Sequence, residues 1–177
     1  MKRPLNIILI IAALTMGSCD IWKRPPIDME LPPVTEEGKN TFSCMIEGEV
    51  YVPQMRRIAF PLGYCIEVNF PEFPDYCFII RTYRFVDKQN DTVMDAHVEF
   101  GSDSICTTGI YTLDGSVSYN YITYRVLPGT ASLTITRLDN RIISGQFHFQ
   151  AIDTDDTNSK IITISNGRFD LCKGYYK

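Results

Sequence analysis

Three titratable residues alternate along one predicted strand and could do acid–base chemistry. They are Asp95, His97 and Glu99, and the residues that alternate with them are apolar: Met94, Ala96, Val98 and Phe100. Successive side chains of a strand point to opposite faces, so the three would share a face and could hold an imidazole between two carboxylates. The apolar face is expected to be the core side. A solvated polar face is therefore the favoured interpretation, and a hydrolase that uses Asp95, His97 and Glu99 is the alternative.

The content of histidine and cysteine limits the metal sites that the chain can form. It has 2 histidines and 6 cysteines, without a Cys-x-x-Cys pair, so no zinc cluster is predicted. Residues 153–158 offer oxygen ligands of the kind that Ca²⁺ prefers. They lack the glycine at position six of an EF-hand loop, and Ile164 stands where that loop has its bidentate glutamate. A polar hairpin loop is the prediction, and no metal or other cofactor is expected.

One pair of cysteines could form a disulfide. Cys65 and Cys77 flank a proline-rich turn. If residues 64–70 and 77–84 pair as a hairpin, the two sulfur atoms could face each other across the strands. The sequence therefore predicts a possible disulfide between Cys65 and Cys77. Cys44 is expected to be buried and reduced.

The first residues follow the order of a bacterial export signal that ends at a cysteine. Lys2 and Arg3 are basic. The run from Leu5 to Met16 is apolar, and small residues precede Cys19. This run is shorter than the roughly 20 residues that a membrane-spanning helix needs. Residues 1–18 are therefore predicted to be a lipoprotein signal peptide, and a secretory peptide that is cut elsewhere is the alternative.

Cleavage before Cys19 would create a site for lipidation. The new first residue would carry about three acyl chains, palmitate among them, and two or more chains hold a protein stably at a membrane. A membrane, reached through the lipid on Cys19, is therefore an expected partner. The expected location is the cell envelope, with an anchor in the outer membrane. The periplasmic face and the cell surface are both open.

The charge of the chain argues against polyanionic partners. The 177 residues include 17 basic and 21 acidic ones, and the loss of Lys2 and Arg3 with the signal peptide would make the balance more negative. Nucleic acid is therefore not an expected partner. An envelope protein or a small-molecule ligand is possible, but nothing in the sequence identifies either.

Residues 19–40 are predicted to be a flexible tether. Four of the 10 prolines lie there, and no apolar period is present. Such sequences favour extended conformations, and prolines withhold backbone donors from a sheet. The folded domain is therefore expected at residues 41–177, and its stability is expected to be independent of the tether.

This domain is predicted to be all-β, because short apolar runs of period two alternate with turn residues. The clearest strand is residues 143–151, in which every odd position is apolar or small. A bulge at Asn166-Gly167 would explain a change of phase in the strand that follows. Asp114-Gly115 is expected to be a turn, and residues 119–127 the next strand. About ten antiparallel strands fit either a two-sheet sandwich or a small barrel.

The chain resembles a family of bacterial lipoproteins that carry a single all-β domain of unknown function. The resemblance runs through most of the mature chain and is strongest at its two ends. It is carried by Leu31-Pro32-Pro33, Gly38-Lys39-Asn40-Thr41-Phe42-x-Cys44-x-Ile46-x-Gly48, Gly109-x-Tyr111-x-Leu113, Ser132-Leu133-Thr134-Ile135-Thr136, Ile143-Ser144-Gly145-x-Phe147-x-Phe149-x-Ala151 and Ile164-Ser165-Asn166-Gly167-Arg168-Phe169-Asp170. It implies a lipid-anchored domain with no known activity, catalytic residue or cofactor.

These observations favour a non-catalytic binding or structural module over an enzyme. A barrel that binds a small apolar molecule is a further alternative, and it requires an interior cavity of roughly 300 Å³ or more.

Overall fold

The computed structural model describes residues 30–53, 65–72, 77–88, 91–154 and 159–173. The regular structure in these residues consists of eleven β-strands and no helix. The strands are β1 (Thr41–Ile46), β2 (Glu49–Tyr51), β3 (Ile66–Asn69), β4 (Phe78–Lys88), β5 (Asp91–Ser102), β6 (Gly109–Tyr111), β7 (Asp114–Tyr119), β8 (Ile122–Val126), β9 (Ser132–Leu138), β10 (Ile142–Asp153) and β11 (Ile161–Cys172). The all-β prediction is confirmed.

The strands form one curled antiparallel sheet, which makes a half-barrel. Its main order is β2-β1-β11-β10-β8-β7-β5-β4-β3, with the short strands β2 and β3 at the two ends of this order. Strand β10 pairs with β11 along its whole length. On its other side β10 pairs first with β9 and then with β8, while β9 carries β6. The predicted sandwich or small barrel of about ten strands is thus a half-barrel of eleven.

The patterning of apolar residues accounts for β10 and β11. In β10 the odd residues from Ile143 to Ala151 are buried, as predicted. In β11 the phase changes where Phe147 faces Gly167 but Phe149 faces Ile164, so the partner strand has one residue more. Asn166 has a φ of 51°, in the left-handed region that a bulge residue often adopts. The predicted bulge at Asn166-Gly167 is confirmed.

The inner side of the half-barrel is filled by phenylalanine rings. Phe147 lies between Phe100 and Phe42, with ring centroids 4.4 Å and 5.3 Å away, and Phe169 adds a ring at 6.4 Å. All four are buried. Aromatic side chains bury large apolar areas and gain further from offset packing, so this cluster contributes strongly to the stability of the curled sheet.

The turn predicted at Asp114-Gly115 is wrong. Residues 114–119 form strand β7, and the chain turns at Asn120 and Tyr121, which have φ values of 52° and 68°. Gly115 is needed for packing instead of turning. A Cβ atom there would lie 2.1 Å from the carbonyl oxygen of Glu99, so only glycine allows β7 to approach β5 so closely.

Residues 30–40 form no strand, yet they lie against the sheet. Asn40 accepts a hydrogen bond from the backbone N–H of Cys172 at 2.9 Å, and the carbonyl of Pro32 accepts one from Arg168 at 2.9 Å. These hydrogen bonds attach residues 32–40 to the domain, where the sequence predicts the end of a tether. Residues 1–18 and the first part of the predicted tether lie outside the described residues.

Candidate functional site

Strand β5 places the predicted trio near the middle of one half of the sheet. It pairs with β4 on one side and β7 on the other. Ala96, Val98 and Phe100 are buried on the inner side, as expected, whereas Met94 at the end of this run is 41% exposed. His97 and Glu99 therefore lie on the outer face of the half-barrel.

Asp95 does not join His97 and Glu99. The register of the β4–β5 pair shifts where Arg84 faces Ala96 but Phe85 faces Met94, so Asp95 is an extra residue in β5. Its carboxylate accepts hydrogen bonds from Nε and Nη2 of Arg84 at 3.1 Å and 2.9 Å. This bidentate pairing fixes the carboxylate and leaves the predicted trio without one of its two acids.

Arg84 connects this ion pair to the opposite edge of the sheet. Its Nη1 donates to the carbonyl oxygen of Val50 at 3.2 Å, and its guanidinium lies 5.2 Å from the centroid of the Tyr51 ring. The Tyr51 hydroxyl is in turn 3.0 Å from the Thr82 hydroxyl. Strands β2 and β4 are not hydrogen-bonded neighbours in the sheet, so these side chains close the half-barrel. Asp95 thus has a structural role.

His97 packs against an aromatic ring. Its imidazole stacks on Tyr83 with centroids 4.8 Å apart and an interplanar angle of 11°. Burial lowers the pKa of His97, and Arg81 lowers it further, while Glu99 and Glu67 oppose the shift. The imidazole is therefore neutral at pH 7. Its Nε2 lies 3.8 Å from Glu99 Oε2, which is too long for a hydrogen bond, and this nitrogen has no hydrogen-bond partner in the described part of the chain.

Glu99 belongs to a row of alternating charges across three strands. Glu67 of β3 faces Arg81 of β4, which faces Glu99 of β5. Arg81 Nε is 3.1 Å from Glu99 Oε1, and both side chains are substantially exposed. Exposed ion pairs of this kind contribute little to stability. The guanidinium nevertheless draws the Glu99 carboxylate toward Arg81, which weakens the case for Glu99 as a partner of the imidazole.

A hydroxyl that the sequence did not single out lies opposite His97. Ser118 of β7 faces His97 in the register, and its Oγ is 3.3 Å from the Thr123 hydroxyl. Serine opposite histidine is the pair that a nucleophilic site would need. Ser118, however, hydrogen-bonds with Thr123 and lies on an open strand face. This arrangement does not support Ser118 as an activated nucleophile. The placement of Ser118 opposite His97 follows from the pairing of β5 with β7, which the sequence alone did not predict.

The predicted disulfide between Cys65 and Cys77 is wrong. The two residues form no disulfide. The hairpin of β3 and β4 exists, but its register pairs Ile66 with Thr82 and Asn69 with Ile79. Cys65 therefore lies next to Tyr83, to whose N–H its carbonyl is bonded at 2.8 Å. Cys77 precedes Phe78 at the other end of β4, which puts about six residues, or roughly 20 Å, between the two positions.

The remaining cysteines in the described residues form no disulfide either, and Cys44 is fully buried, as predicted. Burial raises the pKa of the Cys44 thiol far above its ordinary value, and the positive charge of Arg84 opposes this only in part. Cys44 is therefore an unreactive part of the core.

The predicted lipidation site and most of the acidic loop cannot be placed. Cys19 and residues 155–158 lie outside the described residues. Among the residues that are described, no three or more His, Cys, Asp or Glu side chains are grouped so that they could hold a metal ion. The same residues contain no helix of the length and apolarity that crossing a membrane requires.

Comparison with known protein families, curated proteins and solved structures finds no match to this chain.

Proposed function

We propose that this chain is a non-catalytic binding or structural module, held at a cell-envelope membrane by lipid on Cys19. The observation that carries the proposal is the order of residues at the start of the chain: a basic pair, an apolar run of about a dozen residues and small residues directly before Cys19. Lipid on that cysteine would supply the stable attachment that one short apolar segment could not.

The non-catalytic part of the proposal is supported by the outer face of β5. Asp95 is bound by Arg84, and Glu99 is paired with Arg81. His97 is stacked on Tyr83 and neutral. A catalytic trio needs its members within hydrogen-bond reach of each other, and these three side chains each contact a different neighbour. The outer faces of the strands are therefore proposed to bind a partner and not to catalyse a reaction.

The module is proposed to act at its surface and not in an interior cavity. The phenylalanine cluster of Phe42, Phe100, Phe147 and Phe169 fills the inner side of the half-barrel. Depressions of about 240 to 470 Å³ are found at the surface, and one of them lies along β10 and β11, where its lining mixes polar side chains such as His148 and Gln150 with apolar ones such as Ile164. Because the inner side is filled, an envelope protein that contacts these open faces is favoured as the partner over a small apolar molecule held inside the domain.

Labelling of the full chain in bacterial cells tests the anchor. With radioactive palmitate, the wild-type chain is expected to be labelled and recovered with membranes, and Cys19→Ser is expected to be unlabelled and soluble. Cys106→Ser is the matched control, because Cys106 is an exposed free thiol in the described domain. Label that survives in Cys19→Ser, or is absent from the wild type, contradicts the proposal.

A further inference from the structure

One row of residues crosses the outer face of the sheet at the end where the described chain begins. Arg137 of β9 faces Ser144 of β10, Ser144 faces Asp170 of β11, and Asp170 faces Thr41 of β1. Asp170 is only 1% exposed and Ser144 is fully buried, although both are polar. Residues 32–40, which we name the strap, cover this row.

The strap is built around the Asp170 carboxylate. Five hydrogen bonds converge on its two oxygen atoms, four from the strap and one from the sheet. The donors are Thr35 Oγ1 at 2.7 Å, the backbone N–H groups of Glu37 at 3.0 Å, Gly38 at 2.8 Å and Lys39 at 3.2 Å, and Ser144 Oγ at 2.7 Å. Consecutive N–H groups that surround an anion form a nest, and hydrogen bonds to an ionised acceptor are the strong ones.

Two arginines of the sheet donate hydrogen bonds to the backbone of the strap. Arg168 donates to the carbonyl oxygen of Pro32 at 2.9 Å, and Arg137 donates to that of Glu36. Gly38 has a φ of 73°, and a Cβ atom there would lie 3.1 Å from the Ile142 side chain. The left-handed backbone favours glycine at this position, and any side chain there would also require the Ile142 side chain to shift.

Apolar packing contributes little to the strap. Val34 is its main aliphatic side chain and is 51% exposed. Several other strap residues are exposed, and none of them pairs with a strand. Removal of the strap would break polar contacts centred on one carboxylate and would leave the phenylalanine core and the sheet pairings intact. Segments with few buried apolar contacts open separately from the rest of a protein.

We propose that the strap is a latch: it leaves and rejoins the sheet as one unit, with Asp170 as the residue that holds it. In the closed state the chain is attached to the sheet from Pro32 onward. In the open state it is attached only from Thr41 onward, which frees nine residues that span up to about 30 Å when extended. Where the lipid on Cys19 proposed above is present, the latch sets how far the domain can stand from the membrane. The latch itself does not depend on the lipid.

Hydrogen exchange of the full chain in detergent tests the latch under native conditions. In the wild type, the amides of Glu37, Gly38 and Lys39 are expected to be protected, yet to exchange at least tenfold faster than those in the middle of β5 and β10. Asp170→Asn is expected to raise exchange of the three strap amides at least tenfold, while the amides in the middle of β5 and β10 stay more strongly protected than those of the strap. Gly38→Ala is expected to do the same and alters only the strap, so it keeps the test valid if Asp170→Asn does not fold.

Asp114→Asn is the matched control. It also removes a carboxylate that accepts a backbone hydrogen bond, from Gly115 at 2.7 Å, but it lies on β7, away from the strap. No change at the strap amides is expected. Three results overturn the latch: wild-type strap amides without protection, wild-type strap amides that exchange no faster than those of β5 and β10, and variants in which the strap amides and the sheet amides exchange at the same rate. None of these results bears on lipidation of Cys19.

Discussion

Asp170 makes the stability of the domain depend on pH. Burial alone would raise the pKa of Asp170, but hydrogen bonds from Thr35, Ser144 and the N–H groups of Gly38 and Lys39 outweigh it and lower the pKa from 3.8 to about 2. Because the folded state holds the proton less tightly, the stabilisation is complete above about pH 4 and is lost as pH falls toward 2. The shift corresponds to about 2 kcal/mol.

The corresponding prediction compares urea unfolding of the wild type and Asp170→Asn from pH 2 to 7. The wild type is expected to lose about 2 kcal/mol more than the variant as pH falls from 5 to 2. The other charged residues of this region are Arg137 and Arg168, which bond the strap from the sheet, and Glu36, Glu37 and Lys39 on the strap itself. They are common to both proteins, so the difference isolates Asp170. Equal pH profiles for the two proteins would contradict the assignment.

At the scale of the strands, two glycines decide how closely β9, β10 and β11 pack. A Cβ atom on Gly145 would lie 2.3 Å from the carbonyl oxygen of Thr134 and 2.7 Å from the Phe169 ring. One on Gly167 would lie 2.5 Å from the Phe147 ring. The rings rest directly on the backbone at these two positions, so the phenylalanine cluster reaches the sheet without a gap.

Gly145→Ala is therefore expected to lower the free energy of unfolding by about 2 kcal/mol or more, since the methyl group meets backbone on one side and a buried ring on the other. Chemical denaturation measures the change. Gln146→Ala is the control on the same strand, because Gln146 is exposed and its loss should change stability by less than about 0.5 kcal/mol. If Gly145→Ala changed the free energy of unfolding as little as Gln146→Ala does, β9 and β11 would have to move apart at this position.

Sequence patterning was sufficient for strands with one buried and one exposed face. The alternation in residues 143–151 and the change of phase in β11 predicted both a strand and its bulge, because each depends on local order of residues. Residues 114–119 carry only one fully buried residue, Val117, so their alternation was too weak to outweigh the turn preference of Asp114-Gly115.

The candidate site was harder to predict, because its geometry depends on partner strands. His97 and Glu99 were placed on the outer face correctly. The bulge that separates Asp95 from them depends on pairing with β4, and the distance between Cys65 and Cys77 depends on the register of β3 and β4. The strap escaped prediction for a similar reason, since its donors meet a carboxylate that is distant in the sequence. Register is a tertiary property where local patterns are weak.

At the scale of the whole molecule, side-chain contacts join strands that backbone hydrogen bonds do not. Arg84 and Asp95 are each 13% exposed and join β4 and β5 to the β2 edge through Val50 and Tyr51. Replacement of one member of a partly buried, bidentate ion pair is strongly destabilising, because it leaves the other charge unpaired and shielded from water.

A double-mutant cycle of Arg84→Met and Asp95→Asn is therefore expected to give single losses of about 2 kcal/mol or more in unfolding free energy. A coupling energy above about 1 kcal/mol is expected. The same cycle on the exposed pair Arg81 and Glu99 is the control and should give less than about 1 kcal/mol. If the two cycles gave equal coupling, Arg84 would not be closing the half-barrel.

The position of β1 in the sheet constrains the order in which the chain can fold. Among the described strands β1 is the first to be synthesised, but besides the short β2 its only neighbour among them is β11, the last. During synthesis the β1–β2 hairpin must wait, with Phe42 and Ile46 exposed, until residues 161–172 have emerged. Pairing across so long a loop is slow, and unpaired apolar edges invite aggregation. The β1–β11 pairing is therefore expected to form only after residues 161–172 have been synthesised.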